Sequence, residues 1–368
     1  MSNKDYSRAA VAVRPMETEI HSIEIPEVSG SSGLLRVLAT GICGSDWPMY
    51  KSAWPGPRIL GHEMIGVIED LGDDAADRWG VQKGDLVALE EYLPCGHCEF
   101  CRSGEYRSCL STDSTMDGTI RYGSTPLTVE PALWGGYSQF LYLHPRTVFH
   151  KVPEGVPLHI AAMALPISNG FQWVQIDAGA GPGKVIVIQG PGQQGLSCVM
   201  AAKLAGCDQI IVAGLSRDED RLKLARRCGA DHCVRVDEEN LYEAVQRITN
   251  GRMADIVIEA TTAGPEIINQ SMTLLRKHGT LILASRKGAK VQDFDIDRMS
   301  KMRIRALGTR GHGFQAVEQA LALMTTNRFP LEEFSSHQIG LDELNDGLHM
   351  VGGQSDERCI HITVDPWK

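Results

Sequence analysis

Four cysteines, Cys95, Cys98, Cys101 and Cys109, fall in one short run, Pro94-Cys-Gly-His-Cys-Glu-Phe-Cys-Arg-Ser-Gly-Glu-Tyr-Arg-Ser-Cys109. The spacing is C-x2-C-x2-C-x7-C. Thiolates separated by two-residue gaps can wrap one tetrahedral zinc, with the residues between them supplying tight turns. A closed shell of four sulfurs leaves no open position for a substrate, so such a metal holds a lobe together and does no chemistry. A cubane iron–sulfur cluster can use similar spacing, but nothing else in the chain suggests electron transfer, and zinc ranks well above it. A second constellation precedes this run. Gly41-Ile-Cys-Gly-Ser-Asp46 is followed, nineteen residues after Cys43, by Gly61-His62-Glu63. A thiolate and an imidazole from separate turns can hold zinc and leave a coordination position open.

A third signal stands further on. Lys184-Val-Ile-Val-Ile-Gln189 runs straight into Gly190-Pro-Gly-Gln-Gln-Gly195 and then into a helical stretch. This is G-x-G-x-x-G between a strand and a helix, the arrangement that binds a dinucleotide. Gly190 permits the sharp turn, Gly192 lets the backbone approach a pyrophosphate, and Gly195 lets the helix pack on the strand. The helix N-terminus, opened by Gln193 and Gln194, faces the negative charge. The usual acidic residue that grips the ribose is missing, because the second strand ends Ile210-Ile-Val-Ala-Gly-Leu-Ser-Arg217. Ser216 and Arg217 offer hydrogen-bond donors suited to a 2′-phosphate, which leans the cofactor towards NADP over NAD.

These residues need elements to hold them. At 368 residues the chain is long enough for about two domains, and 43% hydrophobic content supports large buried cores. Up to about residue 155, short strand patterns alternate with Gly, Pro and Asp. Leu34–Leu38, Glu63–Glu69, Asp85–Leu89 and Gln139–Leu143 read as strands. Beyond that point strands and helices alternate. The strands are Lys184–Gln189, Gln209–Ala213, Asp255–Ala260 and Thr280–Ala284, and the helices are Gly195–Ala205, Asp218–Cys228 and Asn240–Thr249. That alternation predicts a parallel sheet with helices on both faces. A helix over Phe314–Thr325 and a strand over Cys359–Val364 close the chain.

The formal charge of −10 argues against a nucleic-acid-binding face. The opening Met-Ser-Asn-Lys-Asp-Tyr-Ser-Arg has no apolar core, and no apolar run is long enough to span a bilayer. Ten cysteines in such a chain point to a reducing compartment, and the cytoplasm is the expected location.

Taken in order, Gly41 to Asp46, Gly61 to Glu63, Gly84-Asp-Leu-Val87, the four-cysteine run, Gly135-Gly-Tyr137 and Gly190 to Gly195 resemble the medium-chain, zinc-containing alcohol dehydrogenases, which include sorbitol and threonine dehydrogenases. The resemblance covers essentially the whole chain. It implies an α/β architecture, a GroES-like β-rich catalytic domain interrupted by a Rossmann doubly wound parallel sheet, with the active site in the cleft between them. The catalytic domain would take 1–155 and 306–368, with its zinc lobe at about 94–110, and the Rossmann domain 156–305. The implied reaction is hydride transfer between an alcohol and NAD(P), giving a ketone or aldehyde. Cys43 and His62 carry over as catalytic zinc ligands, Asp46 as the group orienting His62, Ser45 as the hydroxyl that passes the alcohol proton outward, and Glu63 as a nearby carboxylate. Two zincs per chain follow, one catalytic and one structural.

Two departures from the family pattern matter. Its third protein ligand, a Cys or Glu, falls where this chain has Leu165, which cannot bind a metal. The first choice is then Cys43, His62 and Glu63 plus water, with Asn169 or Asp46 as other contributors. Pro48 stands where sorbitol-type relatives often carry a His. A reductase without catalytic zinc, and a non-catalytic nucleotide-binding protein, are the rival readings. Trp47, Met49, Tyr50 and Trp54 would line the pocket and favour a bulky, fairly apolar, secondary alcohol. The segment Ser111–Trp134 is expected to be a long irregular stretch near the cleft mouth. By analogy the chain forms a homodimer or homotetramer, with Arg303–Leu307 as an edge strand.

Overall fold

The computed structural model of the chain describes residues 5–52, 56–113, 116 and 118–368. Eight strands come first: β1 (Tyr6–Arg14), β2 (Glu17–Glu24), β3 (Gly33–Gly41), β4 (Arg58–Ile59), β5 (Glu63–Leu71), β6 (Leu86–Leu89), β7 (Phe140–Leu143) and β8 (Phe149–Lys151). Six follow: β9 (Val185–Gln189), β10 (Gln209–Gly214), β11 (His232–Arg235), β12 (Ala254–Glu259), β13 (Leu275–Leu283) and β14 (Arg305–Gly308). The tail adds β15 (Ser335–Ile339) and β16 (His361–Val364). Contacts divide the chain into two units. The first holds Met1–Leu165, Leu321–Thr325 and Phe334–Lys368, and the second holds Pro166–Ala320 and Thr326–Glu333.

The first unit is built on antiparallel pairing. A seven-stranded sheet runs β15-β16-β3-β5-β6-β8, with β7 also on β3, and β2-β1-β4 form a smaller sheet. β3 is the hub: it pairs β5 from Gly33↔Leu71 to Gly41↔Glu63, and β7 from Gly33↔Leu143 to Arg36↔Phe140. Leu35, Val37, Met64, Val87, Trp134 and Leu141 form one buried cluster. At about 1.5–3 kcal/mol for each fully buried large aliphatic side chain, such a cluster is what fixes the register. Of the residues expected to line the pocket, Tyr50 is fully buried with its hydroxyl 2.6 Å from Asn345 Oδ1, while Trp47 and Met49 are half-buried against the cluster that holds it, Trp47 meeting His349 edge-on. Core packing outcompetes the expected exposure there. Trp54 lies outside the described residues.

In the second unit the strand order is β11-β10-β9-β12-β13-β14, and every pairing is parallel. In order of appearance this is 3-2-1-4-5-6, the doubly wound dinucleotide-binding order. Every residue of β9 and β12 is buried, as strands covered on both faces must be, so they are dense in Ile and Val with no apolar alternation, although Gln189, Asp255 and Glu259 are buried among them. The helices Glu219–Arg227 and Leu241–Ile248 fall within the segments expected, and Gln193–Ala205 starts two residues before the expected Gly195. β14 pairs only with β13 and forms the outer edge.

The cysteine run is fastened to the first unit by a buried polar cluster. Glu90, just past β6, and His150 on β8 are both fully buried, with His150 Nε2 2.8 Å from Glu90 Oε1. The Tyr106 hydroxyl, from the short turn between Cys101 and Cys109, donates to the same oxygen. No helix among the described residues is long and apolar enough to cross a membrane. Tyr106→Phe removes one donor from this cluster and is expected to cost about 1–3 kcal/mol. Thermal unfolding checks it, at roughly 2–4 °C per kcal/mol for a unit of this size; an unchanged Tm would remove the fastening role.

Candidate active site

β3 and β5 bring the first metal-ligating set together. β3 ends at Gly41 beside Glu63, the first residue of β5. A side chain at position 41 could not be accommodated, since its Cβ would stand 2.3 Å from Glu63 Oε2. Gly61, with φ of 87°, supplies the left-handed turn that delivers His62 and Glu63. The result is that ligand atoms of Cys43, His62 and Glu63 all lie within 4.8 Å of one another. Glu63 and His62 are buried, whereas Cys43 is only half-buried and Gly44 and Ser45 are exposed. The set is therefore closed behind and open on the side of Cys43 and Ser45.

The orientation of His62 has a visible cause. Asp46 Oδ1 faces Nδ1 at 3.3 Å, off the ideal hydrogen-bond line, and this turns Nε2 towards Cys43. Asp46 is itself fixed through Oδ2, which accepts from the Cys43 backbone N–H at 3.0 Å and from the buried Tyr137 hydroxyl at 2.7 Å. Ser45 Oγ donates to Cys43 Sγ at 3.2 Å and lies 3.4 Å from His62 Nε2. Pro48 is exposed and brings no titratable group to the site.

The electrostatics call for a cation. Burial pushes the Glu63 carboxyl up to about 7. Burial, with Glu63 nearby, also raises the Cys43 thiol. Burial opposes a charged His62, but Asp46, Cys43 and Glu91 outweigh it and hold the ring well above its ordinary value. Glu63 Oε2 is buried without a hydrogen-bond partner. A divalent ion among these atoms would satisfy that oxygen and stabilise the ionised thiol and carboxylate. The donor set thus fits zinc. Leu165 is buried, and Asn169 Oδ1 is hydrogen-bonded to His312 Nδ1 at 3.0 Å.

The second set also fits a metal. Cys95, Cys98, Cys101 and Cys109 place their sulfurs within 4.8 Å of one another. The backbone N–H groups of Cys95 and Cys98 donate to Cys109 Sγ and Cys95 Sγ at 3.3 and 3.4 Å, bonds that favour thiolates. In the second unit the glycine loop fits a dinucleotide. Gly190 has φ of 100°, a Cβ at Gly195 would sit 1.8 Å from the Gly190 carbonyl, and one at Gly192 would meet nothing within 4 Å. The backbone is bare where a pyrophosphate would approach. Gln194 Oε1 is buried there without a partner, and Gln193 opens the helix. Ser216 stands beyond β10, with both its backbone N–H and its hydroxyl donating to Asp237. That occupancy weakens the argument for NADP, which assumed the Ser216 donors were free. Arg217 is exposed.

The alcohol dehydrogenase GroES-like domain family matches residues 31–154, and the zinc-binding dehydrogenase family matches residues 195–326. The "Probable alcohol dehydrogenase adh" of Mycobacterium tuberculosis is 34% identical over 361 residues, 97% of each chain. The sorbitol dehydrogenase of Bacillus subtilis is 32% identical, covering 98% of this chain and 97% of its own. The chain belongs to the zinc-containing medium-chain alcohol dehydrogenases. The crystal structure of an alcohol dehydrogenase from Thermotoga maritima superposes with a TM-score of 0.83 at 25% identity, over 98% of this chain and 99% of that one. The fold is accordingly a GroES-like domain joined to a Rossmann domain, and the activity is NAD(P)-dependent oxidoreduction of alcohols.

Within this dehydrogenase the sequence pointed to Asp46 but not to the work of Tyr137. Tyr137 was legible only as part of a Gly-Gly-Tyr motif, and its contact with Asp46 joins residues 91 positions apart. Within the stretch expected to be irregular, Gly123 lies against the site: a Cβ there would stand 3.0 Å from His62 Cβ. Tyr137→Phe leaves Asp46 Oδ2 with one donor in place of two. Zinc retention in competition with a chelator is expected to fall by about tenfold, at the low end for groups supporting a metal-bound histidine. Retention equal to wild type would assign Tyr137 to packing alone.

Proposed function

We propose that this dehydrogenase holds a catalytic zinc through Cys43, His62 and Glu63, with a structural zinc in the four-cysteine lobe, and oxidises a secondary hydroxyl of a short polyol. The observation that carries the catalytic site is the convergence of one thiol, one imidazole and one carboxylate within 4.8 Å, open only at Cys43 and Ser45. With Leu165 unable to coordinate, Glu63 serves as the third protein ligand. The polyol reading is supported by relatives named sorbitol dehydrogenase and erythritol/L-threitol dehydrogenase. The fairly apolar substrate expected from the sequence has less behind it, because Tyr50 is buried and Trp47 and Met49 lie half-buried against the same cluster.

A zinc held by Cys43, His62 and Glu63 would supply Lewis acidity at an alcohol oxygen, and a nicotinamide dinucleotide held at the glycine loop would supply the hydride acceptor. The remaining work falls to the chain. Asp46 fixes the His62 ring with Nε2 forward. Glu63 contributes negative charge from behind and Cys43 from the open side. Ser45 Oγ, exposed and within reach of both ligands, accepts the proton of the substrate hydroxyl and passes it to water, since Pro48 offers no ring nitrogen for a longer relay. Ten cysteines, none in a disulfide, suit a reducing compartment such as the cytoplasm. The β14 edge is the proposed contact for a homodimer or homotetramer.

Elemental analysis of protein purified without chelators is expected to give two zincs per chain. Cys43→Ala should retain one and lose turnover by at least about two orders of magnitude. One zinc in the wild type, with turnover intact, would favour a reductase that works without catalytic metal. A panel of short polyols and apolar monoalcohols with NAD(P) tests the substrate class, and oxidation confined to the monoalcohols would reject the polyol reading.

A further inference from the structure

A glycine loop is only half of a dinucleotide site. The other half meets the adenosine ribose at the end of the second strand, where an acidic side chain accepts from its hydroxyls. β10 ends at Gly214 without one. Asp218, the next acid in sequence, is turned away from the role: its carboxylate accepts from the Leu215 N–H at 3.1 Å and lies 3.5 Å from Arg221.

The fold brings a different acid there. β11 runs parallel to β10 with Gly214 opposite Arg235, so Asp237 emerges beside Ser216 at the same sheet edge. Asp237 Oδ1 accepts from the Ser216 backbone N–H at 2.8 Å, and Oδ2 from the Ser216 hydroxyl at 2.5 Å. The glycine loop neighbours the end of β10: a Cβ at Gly214 would meet Pro191 Cγ at 2.9 Å. The carboxylate therefore stands at the C-terminal edge of the parallel sheet, past the end of β11, with β10 between it and the pyrophosphate turn, on the edge where ligands of such sheets bind.

Asp237 is exposed, and each of its oxygens keeps a lone pair beyond the bond to Ser216. A ribose diol brings two donors and suits it. A 2′-phosphate brings only acceptors and negative charge. It would meet a carboxylate where it needs donors, with both Ser216 donors already engaged. Of the nearby cations, Arg235 is paired with Glu219 and Glu238, and the exposed Arg217 guanidinium recovers little in water.

We infer that Asp237, fixed on Ser216, is the acidic group that receives the adenosine ribose hydroxyls, and that it makes this dehydrogenase select NAD over NADP. The inference rests on the dinucleotide reading of the glycine loop. Titration of the full chain with NADH and NADPH, followed by nicotinamide fluorescence without substrate, separates the two. NADH is expected to bind at least about tenfold more tightly, the worth of one charge-assisted hydrogen bond. Asp237→Ala, at an exposed position, should weaken NADH by about tenfold and leave NADPH unchanged or tighter. Equal or tighter NADPH binding in the wild type overturns the assignment. So does a substitution that weakens both dinucleotides alike, which would make Asp237 a tether for the loop. Binding of neither would overturn the reading of the glycine loop itself, and the inference with it.

Discussion

Placing a thiol, an imidazole and two carboxylates side by side out of water is unfavourable unless a cation joins them. That constraint organises the first unit. Asp46 and Glu63 are buried, as is His62, and the surrounding sheet holds the groups together where separation would relieve them. Gly41 and Gly61 make this possible, one by leaving room for Glu63 and the other by turning the chain backwards. Tyr137 and the Cys43 amide take up one oxygen of Asp46, so the other is left for the ring. The fold accepts local instability at this point, and a divalent ion bound among these groups would recover it.

Much of this was legible in the sequence because the relevant signals are local. C-x2-C-x2-C-x7-C, G-x-G-x-x-G and the Cys43 and His62 turns each lie within a few residues and carry their geometry with them. The second unit was legible for a related reason. Its central strands are buried on both faces, so they appear as runs dense in Ile and Val. The hairpin β1–β2 was not picked out as particular strands; the outer strand β2 has no fully buried residue and shows no strong apolar alternation.

What the sequence hid were contacts between distant positions. Asp237 meets Ser216 because two parallel strands end together, and no spacing rule announces it. Tyr50 and Trp47 follow the metal motif and look like pocket lining, yet the short helix Asp46–Lys51 turns them onto Asn345 and His349, almost three hundred residues later. An aromatic side chain near a site is recruited by whichever apolar surface is nearest, and adjacency in sequence does not tell which.

The segment from Glu90 to Cys95 shows how the two metal-binding sets are mechanically joined. Glu90 accepts from Tyr106 inside the cysteine run, and Cys95 opens that run. Between them, the Glu91 carbonyl accepts from the Tyr122 N–H, and its carboxylate pairs with Arg121. One residue further on, Gly123 lies against Gly61 and His62. The Leu93 N–H donates to Thr112, tying the start of the 111–134 stretch to the same segment. A lobe that does no chemistry therefore braces the wall behind His62. An ion held by the four thiolates would stiffen this brace far more than the few buried apolar side chains of the run could, since of the four cysteines only Cys109 is buried. Its role would be positional, holding the loop that the histidine leans on.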